Sequence, residues 1–403
     1  MAAYAAAGTG LSVTVLEKMP RPGRKIMITG KGRCNFTNAK AWESFQEHVH
    51  PNARFLRPAF FNLPPEKLIA LFESRGLATV VERGERAFPA DHQAVSVVDC
   101  LCGMATEAGA EIVCNCSVTA VLRSNRPGFR FQVNCSDGSS WACKRMIITT
   151  GGKSYPRTGS SGDGYAWAEQ FGHSITPLFP SLCALVPKNY EYPGEWVSLK
   201  NVSLSSIIDG NEAQSSFGDL DFTDGGLEGP LGFRLSRKCV KALHNGSKVS
   251  LLLDLKPAVG EAELSRRIQG LWKEIQADPR SRDKSQAFRM KILLGKLMPR
   301  EAVALFLKYC PVTASGEVAH ALKNWKMDLV SHVGFERCVV TAGGVELSEV
   351  KPKTLESKLE KGLHLAGEVL DLDADTGGYN LHIAFCSGYL AGASAAAALA
   401  DAD

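Results

Sequence analysis

The sequence predicts an α/β fold in which parallel strands end at a ligand-binding edge. Three stretches support this prediction: a helix and short strand over 1–18, an apolar strand that ends at Thr149 to Gly152, and a strand over 363–366 that is followed by glycines and a helix. Apolar strands of this kind are typical of a parallel sheet that is covered on both faces. Ligands bind at the carboxyl ends of such strands, so the polar and glycine residues that follow each strand are the candidate site.

The composition is that of an ordinary globular protein. Of the 403 residues, 45% are hydrophobic and 22% are charged, which is enough for two or three domains with buried cores. The formal charge is +4, with 46 basic and 42 acidic residues mixed along the chain, so electrostatics gives no reason to expect nucleic acid as a partner. No uninterrupted apolar stretch reaches the ~20 residues of a membrane-spanning helix, and the N-terminus does not resemble a secretory signal. We therefore expect a cytoplasmic enzyme, and nothing indicates its oligomeric state.

The twelve cysteines do not have the spacing of a metal or redox site. No two of them form a C-x-x-C pair, and the nine histidines form no H-E-x-x-H cluster. We expect reduced, mostly buried thiols and no metal.

A predicted helix and a glycine precede the first strand, which ends at Glu17. This order is typical of the second half of a βαβ dinucleotide-binding unit, in which the acid accepts hydrogen bonds from an adenosine ribose. The alternative is a surface helix and strand with an incidental glutamate. The strand and glycine-rich turn that open such a unit would precede Met1, so we expect Met1 to be an internal methionine of a longer protein. Each N–H donor to a charged group contributes roughly 1.5–3 kcal/mol, so loss of the turn would weaken cofactor binding by orders of magnitude.

A basic loop follows, RPGRKIMITGKGRCNFTN over residues 21–38. Its five basic residues alternate with three glycines, which allow a close approach of the backbone to an anion. We interpret this segment as a cofactor loop, and the alternative is a solvated basic loop.

Near the C-terminus, Gly377 and Gly378 precede a helix of small residues that begins at about Leu381. Two bare glycines leave backbone N–H groups uncovered, with the positive end of the helix dipole behind them. The sequence therefore predicts that this turn faces a cofactor ring that becomes electron-rich when it is reduced.

Three strand-like runs, over 111–123, 129–136 and 141–150, belong to the N-terminal part of the chain. From about residue 185 the pattern changes to alternating strands and charged amphipathic helices. The predicted domains are residues 1–184 with 335–403, and an inserted α+β domain over 185–334.

Six motifs follow one another along the chain: GRKIMITGKGRCNFTN, FPADHQAVSVVD, TTGGKSYPRTGSSGDGYAWAEQFGH, PSLCALVP, TAGGVELSEV and LHLAGEVLDLDADTGGYNLHIAFCSGYLAG. Together they resemble the BaiN-like (YhiN-like) flavoproteins, a family also catalogued as aminoacetone-oxidase-type FAD-binding enzymes. The resemblance implies a two-dinucleotide-binding-domain flavoprotein fold, with a Rossmann-like FAD domain assembled from the N- and C-terminal segments. Family members begin with a strand and a glycine-rich loop, which this chain lacks.

The resemblance also implies which residues bind FAD. Glu17 would bind the adenosine ribose, the basic loop would line the FAD groove, and the last turn would lie beside the isoalloxazine. The full predicted set is Glu17, Lys18, Arg24, Lys25, Gly32, Arg33, Asn35, Val118, Thr150, Gly151, Gly152, Gly367, Glu368, Gly377, Gly378, Tyr379, Asn380 and Leu381.

The function that the resemblance implies is that of a FAD-dependent oxidoreductase. We expect it to reduce a conjugated C=C bond in a hydrophobic, steroid-like 3-oxo substrate, with NAD(P)H as the electron donor. No second G-x-G-x-x-G motif supports a dedicated nicotinamide domain. Two alternatives remain open: a flavin oxidase of a small amine such as aminoacetone, and a non-catalytic flavin-binding or RNA-binding accessory protein.

No residue stands out in the sequence as the catalytic acid or base. Tyr155, His173, Tyr379 and His382 are candidates by residue type only, and packing or hydrogen bonding is the expected role of each. For His173, which follows a glycine at a predicted helix end, we expect a structural role.

Overall fold

A computed structural model describes residues 1–281 and 283–400. The chain forms two compact units, of which the first combines Met1–Phe179 with Val339–Asp403 and the second is Pro180–Cys338. The first unit therefore contains both ends of the described chain.

Thirteen α-helices lie in the described part of the chain. In order, α1 to α13 are Ala2–Ala7, Arg24–Ile28, Trp42–Phe45, Ala53–Asn62, Pro65–Ser74, Ala94–Glu107, Asp163–Gln170, Gly229–His244, Glu261–Ala277, Gln286–Leu297, Arg300–Tyr309, Val318–Lys323 and Tyr379–Ala400.

Twenty β-strands lie in the same residues. In order, β1 to β20 are Val13–Leu16, Thr37–Asn38, Val49–His50, Thr79–Glu82, Arg86–Pro89, Ala110–Val113, Val118–Arg123, Phe131–Cys135, Ser140–Cys143, Met146–Ile148, Phe179–Ser181, Leu185–Pro187, Val197–Ile208, Asn211–Thr223, Gly226–Glu228, Val249–Asp254, Trp325–His332, Val340–Ala342, Leu363–Leu365 and Asp373–Ala374.

The first unit contains two parallel strand pairs. Strand β1 pairs with β6, with Val13 opposite Ala110, and β10 pairs with β19, with Met146 opposite Leu363. The carboxyl ends of paired parallel strands lie at the same edge of the sheet, so Glu17 lies beside the end of β6. The Glu17 N–H donates to the Val113 carbonyl at 2.9 Å. In the same way, the loop after β10 and the loop after β19 begin next to each other.

Small antiparallel sheets complete this unit. Strands β7, β8 and β9 form one of them, β2, β5 and β4 form a second, and β3 pairs with β20. The predicted single strand over 111–123 is in fact two strands, β6 and β7, because the chain turns at Asn115, whose φ is +57°. The run over 141–150 likewise divides into β9 and β10.

Helix α13 passes through the core of the first unit and packs against α1 and α4. Its contact with α1 is close: a Cβ atom on Gly392 would lie 2.2 Å from the carbonyl oxygen of Ala2. The aromatic rings of Phe72 and Phe385 meet edge to face at 5.9 Å on another side of α13. The helix that carries the predicted diglycine turn is therefore anchored on several sides.

By length and composition, α13 is also a candidate membrane span, with a mean hydropathy of 1.6 over its most apolar window. Half of that window is buried inside the protein, as in the core helix of a globular domain. The sequence prediction missed this candidate because it required an unbroken apolar run, and the predicted cytoplasmic location stays a prediction.

The second unit is built on a closed six-stranded barrel of β12, β15, β14, β13, β16 and β17. Trp325 is fully buried and stacks on Phe222 with ring centroids 5.5 Å apart. This barrel corresponds to the small β-structure that the sequence predicts. Helix α8 lies between β15 and β16 in the chain, and α9 to α12 lie between β16 and β17.

Candidate functional site

A carboxylate from the C-terminal segment is held by groups from two distant segments. Glu368 accepts a hydrogen bond from Lys25 Nζ through Oε2, and Oε1 accepts hydrogen bonds from Ser154 Oγ at 2.9 Å and from the Thr341 N–H at 2.8 Å. Lys25 Nζ also bonds Ser154 Oγ. The basic loop, the loop after β10 and the loop after β19 therefore meet at one cluster.

Glycine is required in the loop after β10 because this cluster is close to it. A Cβ atom on Gly152 would lie 2.4 Å from Thr341 Oγ1 and 2.8 Å from Glu368 Oε1. Gly151 has a φ of +73°, in the left-handed region that favours glycine. The neighbouring Thr150 hydroxyl is buried and has no hydrogen-bond partner among the described residues.

Glu17 and Lys18 are adjacent in sequence, and Lys18 contacts the end of the loop that follows β10. Lys18 Nζ forms an ion pair with Asp163 Oδ2 at 2.6 Å, at the first residue of α7. Glu17 Oε1 accepts a hydrogen bond from the Met19 N–H at 2.8 Å, and burial raises the pKa of its carboxyl group. The Cys116 N–H donates to the Glu17 carbonyl at 2.9 Å, which brings the chain just before Val118 next to this position.

The diglycine turn packs against β2. A Cβ atom on Gly378 would lie 2.4 Å from the Thr37 carbonyl oxygen and 2.7 Å from Asn35 Oδ1. Asn38 Nδ2 donates to the Gly377 carbonyl at 3.0 Å. This close approach by itself requires glycine at 378, so the glycine alone is no evidence for a ligand. Asn35 Oδ1, however, is buried without a hydrogen-bond partner in the described chain.

Several predicted side chains have partners within the protein. Tyr379 stacks on His48 with centroids 4.4 Å apart, and Asn380 holds the preceding turn, because its Oδ1 accepts from the Ala374 N–H at 2.8 Å and its Nδ2 donates to the Ala374 carbonyl at 2.7 Å. Leu381 packs on the core. The first N–H groups of an α-helix have no acceptor within the helix, and the contact of those of α13 with a ligand stays a prediction.

Four other predicted residues either contact other parts of the protein or are exposed to solvent. Arg33 pairs with Glu82, and its guanidinium lies 4.5 Å above the ring of Phe88. Gly367 donates its N–H to Ser387 Oγ at 3.0 Å, which ties the loop after β19 to α13. Gly32 adopts a φ of +87° with open space around it, and Arg24 is exposed.

The predicted cofactor-binding residues fit a dinucleotide. Two buried acceptors, Asn35 Oδ1 and Thr150 Oγ1, are unused within the described residues, two lysines lie near the loop after β10, and glycines keep side chains out of that loop. Buried polar atoms are normally hydrogen-bonded, so unused ones indicate a missing partner.

Two of the acid–base candidates are built into the core. His173 is buried with Nδ1 3.2 Å from Glu349 Oε2 and Nε2 2.8 Å from Ser357 Oγ. His382 is fully buried with Nδ1 2.9 Å from Thr37 Oγ1, and burial lowers the pKa of its imidazole to about 3. Neither imidazole is placed to exchange protons with solvent.

The profile of the family described as "HI0933-like protein Rossmann domain" matches residues 1–394 of this chain. The chain belongs to this HI0933-like family. The family and the α/β flavoprotein fold predicted from the sequence are thereby confirmed, and so is its assignment to the FAD-dependent oxidoreductases.

Two curated relatives align with this HI0933-like protein over nearly its full length. A "3-dehydro-bile acid delta(4,6)-reductase" of Clostridium scindens is 30% identical over 95% of this chain and 92% of its own. A "Ribosomal RNA dihydrouridine synthase" of Haemophilus influenzae is 29% identical over 94% of this chain and 91% of its own.

A solved structure supports the fold alone. The 3-ketosteroid-Δ4-(5α)-dehydrogenase of Rhodococcus jostii RHA1 superposes with a TM-score of 0.51 at 14% identity, covering 98% of the HI0933-like chain and 94% of its own.

Sequence reasoning missed one cluster beside the diglycine turn. The Asp375 carboxylate lies 2.9 Å from His48 Nδ1 and 3.4 Å from His50 Nε2. Burial opposes ionisation, but the two imidazole hydrogen bonds hold the pKa of Asp375 well below its usual range. The two histidines at positions 48 and 50 were the signal available in the sequence; His48 ends a 3-10 turn and His50 lies in β3.

The described residues also contain a group of possible metal ligands, Cys116, Cys135 and Asp137, whose ligand atoms lie within 4.8 Å of one another. The two sulfur atoms are 3.0 Å apart. Cys116 and Cys135 do not have C-x-x-C spacing in the sequence. The prediction that the protein holds no metal stays a prediction.

Proposed function

We propose that this HI0933-like protein reduces a C=C bond conjugated to a carbonyl in a hydrophobic, steroid-like 3-oxo substrate, with FAD as cofactor and NAD(P)H as donor. The observation that carries the proposal is the full-length similarity to the relative named as a bile acid Δ(4,6)-reductase. The cluster around Glu368 supports it, because both ends of the described chain contribute predicted cofactor-binding residues there.

When bound, reduced FAD would supply a hydride to the carbon β to the carbonyl, and the carbon α to the carbonyl would take a proton from water. The chain's own residues would hold the cofactor. Glu17 would accept hydrogen bonds from the ribose, and Lys18 and Lys25 would lie near the phosphates. Asn35 and Thr150 would offer their unused buried oxygens to hydroxyl or N–H groups. The N-terminus of α13 would stabilise negative charge that builds up on the reduced ring.

A uridine base in RNA is a second candidate substrate. It is favoured by the relatives named as ribosomal RNA dihydrouridine synthases. Dihydrouridine is uridine with its C5–C6 double bond reduced, and that bond is conjugated to a carbonyl. The two sets of relatives are therefore named for the same bond chemistry on different molecules.

Anaerobic flavin spectroscopy distinguishes these substrates. The full chain, supplied with FAD, is reduced by NADPH or NADH and then mixed with a 3-oxo-4-ene steroid, with a uridine-containing RNA or with buffer. We expect rapid reoxidation of the flavin by the steroid. Reoxidation by RNA alone would select the second candidate, and bleaching of oxidised flavin by aminoacetone would favour the amine oxidase. Failure of both the steroid and the RNA to reoxidise the reduced flavin would contradict the reductase proposal.

A further inference from the structure

One face of α4 is exposed and carries an unusual set of residues for a solvent face. Arg54, Arg57, Pro58 and Phe61 follow the spacing i, i+3, i+4, i+7, which places them on one side of a helix. The opposite side of α4 is buried and apolar. With Trp42 and Gln46, this face lines an open cavity of about 670 Å³, called here the α4 groove.

The two arginines of the α4 groove are not paired with a carboxylate of the described chain. Among the residues that the structure describes, neither Arg54 nor Arg57 forms an ion pair. Arg75, by contrast, pairs with Glu107 at 2.7 Å. Two free guanidinium groups three positions apart on a helix repel each other, so their juxtaposition favours an anion between them.

Aromatic surface lies directly beside these charges. The guanidinium carbon of Arg57 is 5.3 Å from the centroid of the Phe61 ring, and Phe61 is 54% exposed. The Trp42 ring lies 6.0 Å from that of Phe61. Arginine forks bind phosphate in two-point contacts and stack on planar rings, while aromatic faces take nucleobases. The chemistry that fits is a phosphorylated nucleoside.

We propose that the α4 groove binds the adenosine 2′-phosphate end of NADPH and selects NADPH over NADH as the electron donor. The proposal rests on the NAD(P)H-linked function proposed above. An arginine near the ribose is the usual way in which proteins accommodate the 2′-phosphate. The cavity volume lies within the range of small-ligand sites, about 300–1,000 Å³.

Glu43 and Glu47, both exposed, are adjacent in sequence to Trp42 and Gln46, so an anion is favoured only beside the two arginines. A single phosphate group fits this arrangement better than the repeated phosphates of an extended RNA backbone.

The α4 groove is close to the predicted position of the flavin ring. Phe60 lies between Trp42, at 5.0 Å, and His382 in the first turn of α13, at 5.4 Å. One aromatic layer therefore separates the α4 groove from the turn that is predicted to lie beside the isoalloxazine.

The test measures binding without turnover. Dissociation constants for NADPH, NADH and adenosine 2′,5′-bisphosphate are determined on the full chain supplied with FAD, for the wild type and for Arg54→Glu/Arg57→Glu. The control is Arg126→Glu, because Arg126 lies 5.4 Å from the exposed ring of Phe129 and lines neither the α4 groove nor the candidate FAD site.

We expect the double substitution to weaken binding of NADPH and of the bisphosphate at least about tenfold, since charge-assisted hydrogen bonds are lost. NADH binding and the control should change less than about twofold. The variant Phe61→Ala, which keeps both charges, should weaken NADPH binding as well. Equal loss of NADPH and NADH, no loss in the double variant, or no NADPH binding by the wild type would overturn the proposal. Loss of binding to single-stranded oligouridylate, with NADPH binding intact, would overturn it in favour of RNA.

A separate assay keeps the two proposals distinguishable. Flavin reduced with dithionite, in the absence of nicotinamide, is mixed with the 3-oxo-4-ene steroid. If the steroid reoxidises it while NADPH binding ignores the arginines, the α4 groove proposal fails and the reductase proposal stands. If NADPH binding depends on the arginines but the steroid does not reoxidise the flavin, the reductase proposal fails and the α4 groove proposal stands.

Discussion

Lys25 Nζ and Glu368 Oε2 lie 2.6 Å apart although the two residues are 343 positions apart in sequence. Both side chains are mostly buried, with 24% and 17% of their surface exposed. This partly buried ion pair joins the basic loop to the loop after β19. The predicted cofactor site therefore depends on both ends of the described chain folding together.

Removal of the charge from Glu368 should loosen this junction. Glu368→Gln keeps the shape but leaves Lys25 without its counter-ion, and we expect the free energy of unfolding to fall by about 1–3 kcal/mol. Urea unfolding followed by circular dichroism measures the change. The control is Glu66→Gln, at an exposed position on α5. Equal stability of the two variants would contradict a structural role for the ion pair.

Substitution of Gly378 should destabilise the protein more than its positive φ alone explains. Gly378 and Gly109 have nearly the same φ, +95° and +98°, but a Cβ at 378 would lie 2.4 Å from the Thr37 carbonyl oxygen, whereas nothing lies within 4 Å at 109. We expect Gly109→Ala to cost about 1–2 kcal/mol and Gly378→Ala clearly more. Thermal unfolding of the two variants checks this. Equal Tm values would show that β2 yields to the added methyl group.

Thr150→Val should separate cofactor affinity from stability. The Thr150 hydroxyl is buried without a partner in the described residues, so a methyl group in its place should leave the FAD-free protein equally or more stable. FAD affinity should fall about tenfold if the hydroxyl bonds the cofactor. The control is Thr341→Val, because Thr341 Oγ1 accepts hydrogen bonds from the N–H groups of Lys153 and Ser154 and its loss should destabilise the protein. Unchanged FAD affinity in Thr150→Val would remove this residue from the site.

Stability should fall as the pH is lowered from neutrality. Burial lowers the pKa of His382 from 6.5 to about 3 and that of His364 from 6.5 to about 4. The unfolded chain therefore binds more protons than the folded one below pH 6.5, and acid favours unfolding. His382→Gln should reduce the slope of unfolding free energy against pH by up to about 1.4 kcal/mol per pH unit. Urea unfolding between pH 7 and 5 measures it, with exposed His320→Gln as control. An unchanged slope in His382→Gln would show that His382 does not titrate on unfolding.

Elements that lie next to glycines were predictable from the sequence. The first helix and strand and the C-terminal helix are present, as their residue patterns and the neighbouring glycines predict. The turn at Asn115 was not predictable from the sequence. Asn115 adopts the left-handed conformation, but a single asparagine between apolar residues does not distinguish a turn from a continuous strand.

Contacts between distant segments were the part that the sequence alone could not supply. The His48 and Asp375 interaction joins residues 327 positions apart, and the sequence does not indicate which carboxylate the two histidines contact. The α4 face was missed for a related reason: its arginines and phenylalanine have helical spacing, but only the structure shows that this side of α4 faces solvent. The structure shows that Gly378 must be glycine because of its contact with Thr37, and its predicted place beside a cofactor stays a prediction.

The most direct test of the central claim is a titration of the full chain with FAD, followed by the visible flavin spectrum and by Tm. The claim is that residues from both ends of the described chain bind one FAD molecule. We predict saturable binding with a rise in Tm in the wild type, weakened in Thr150→Val and in Glu368→Gln. A chain that stays colourless after FAD is supplied, with an unchanged Tm, would contradict the claim.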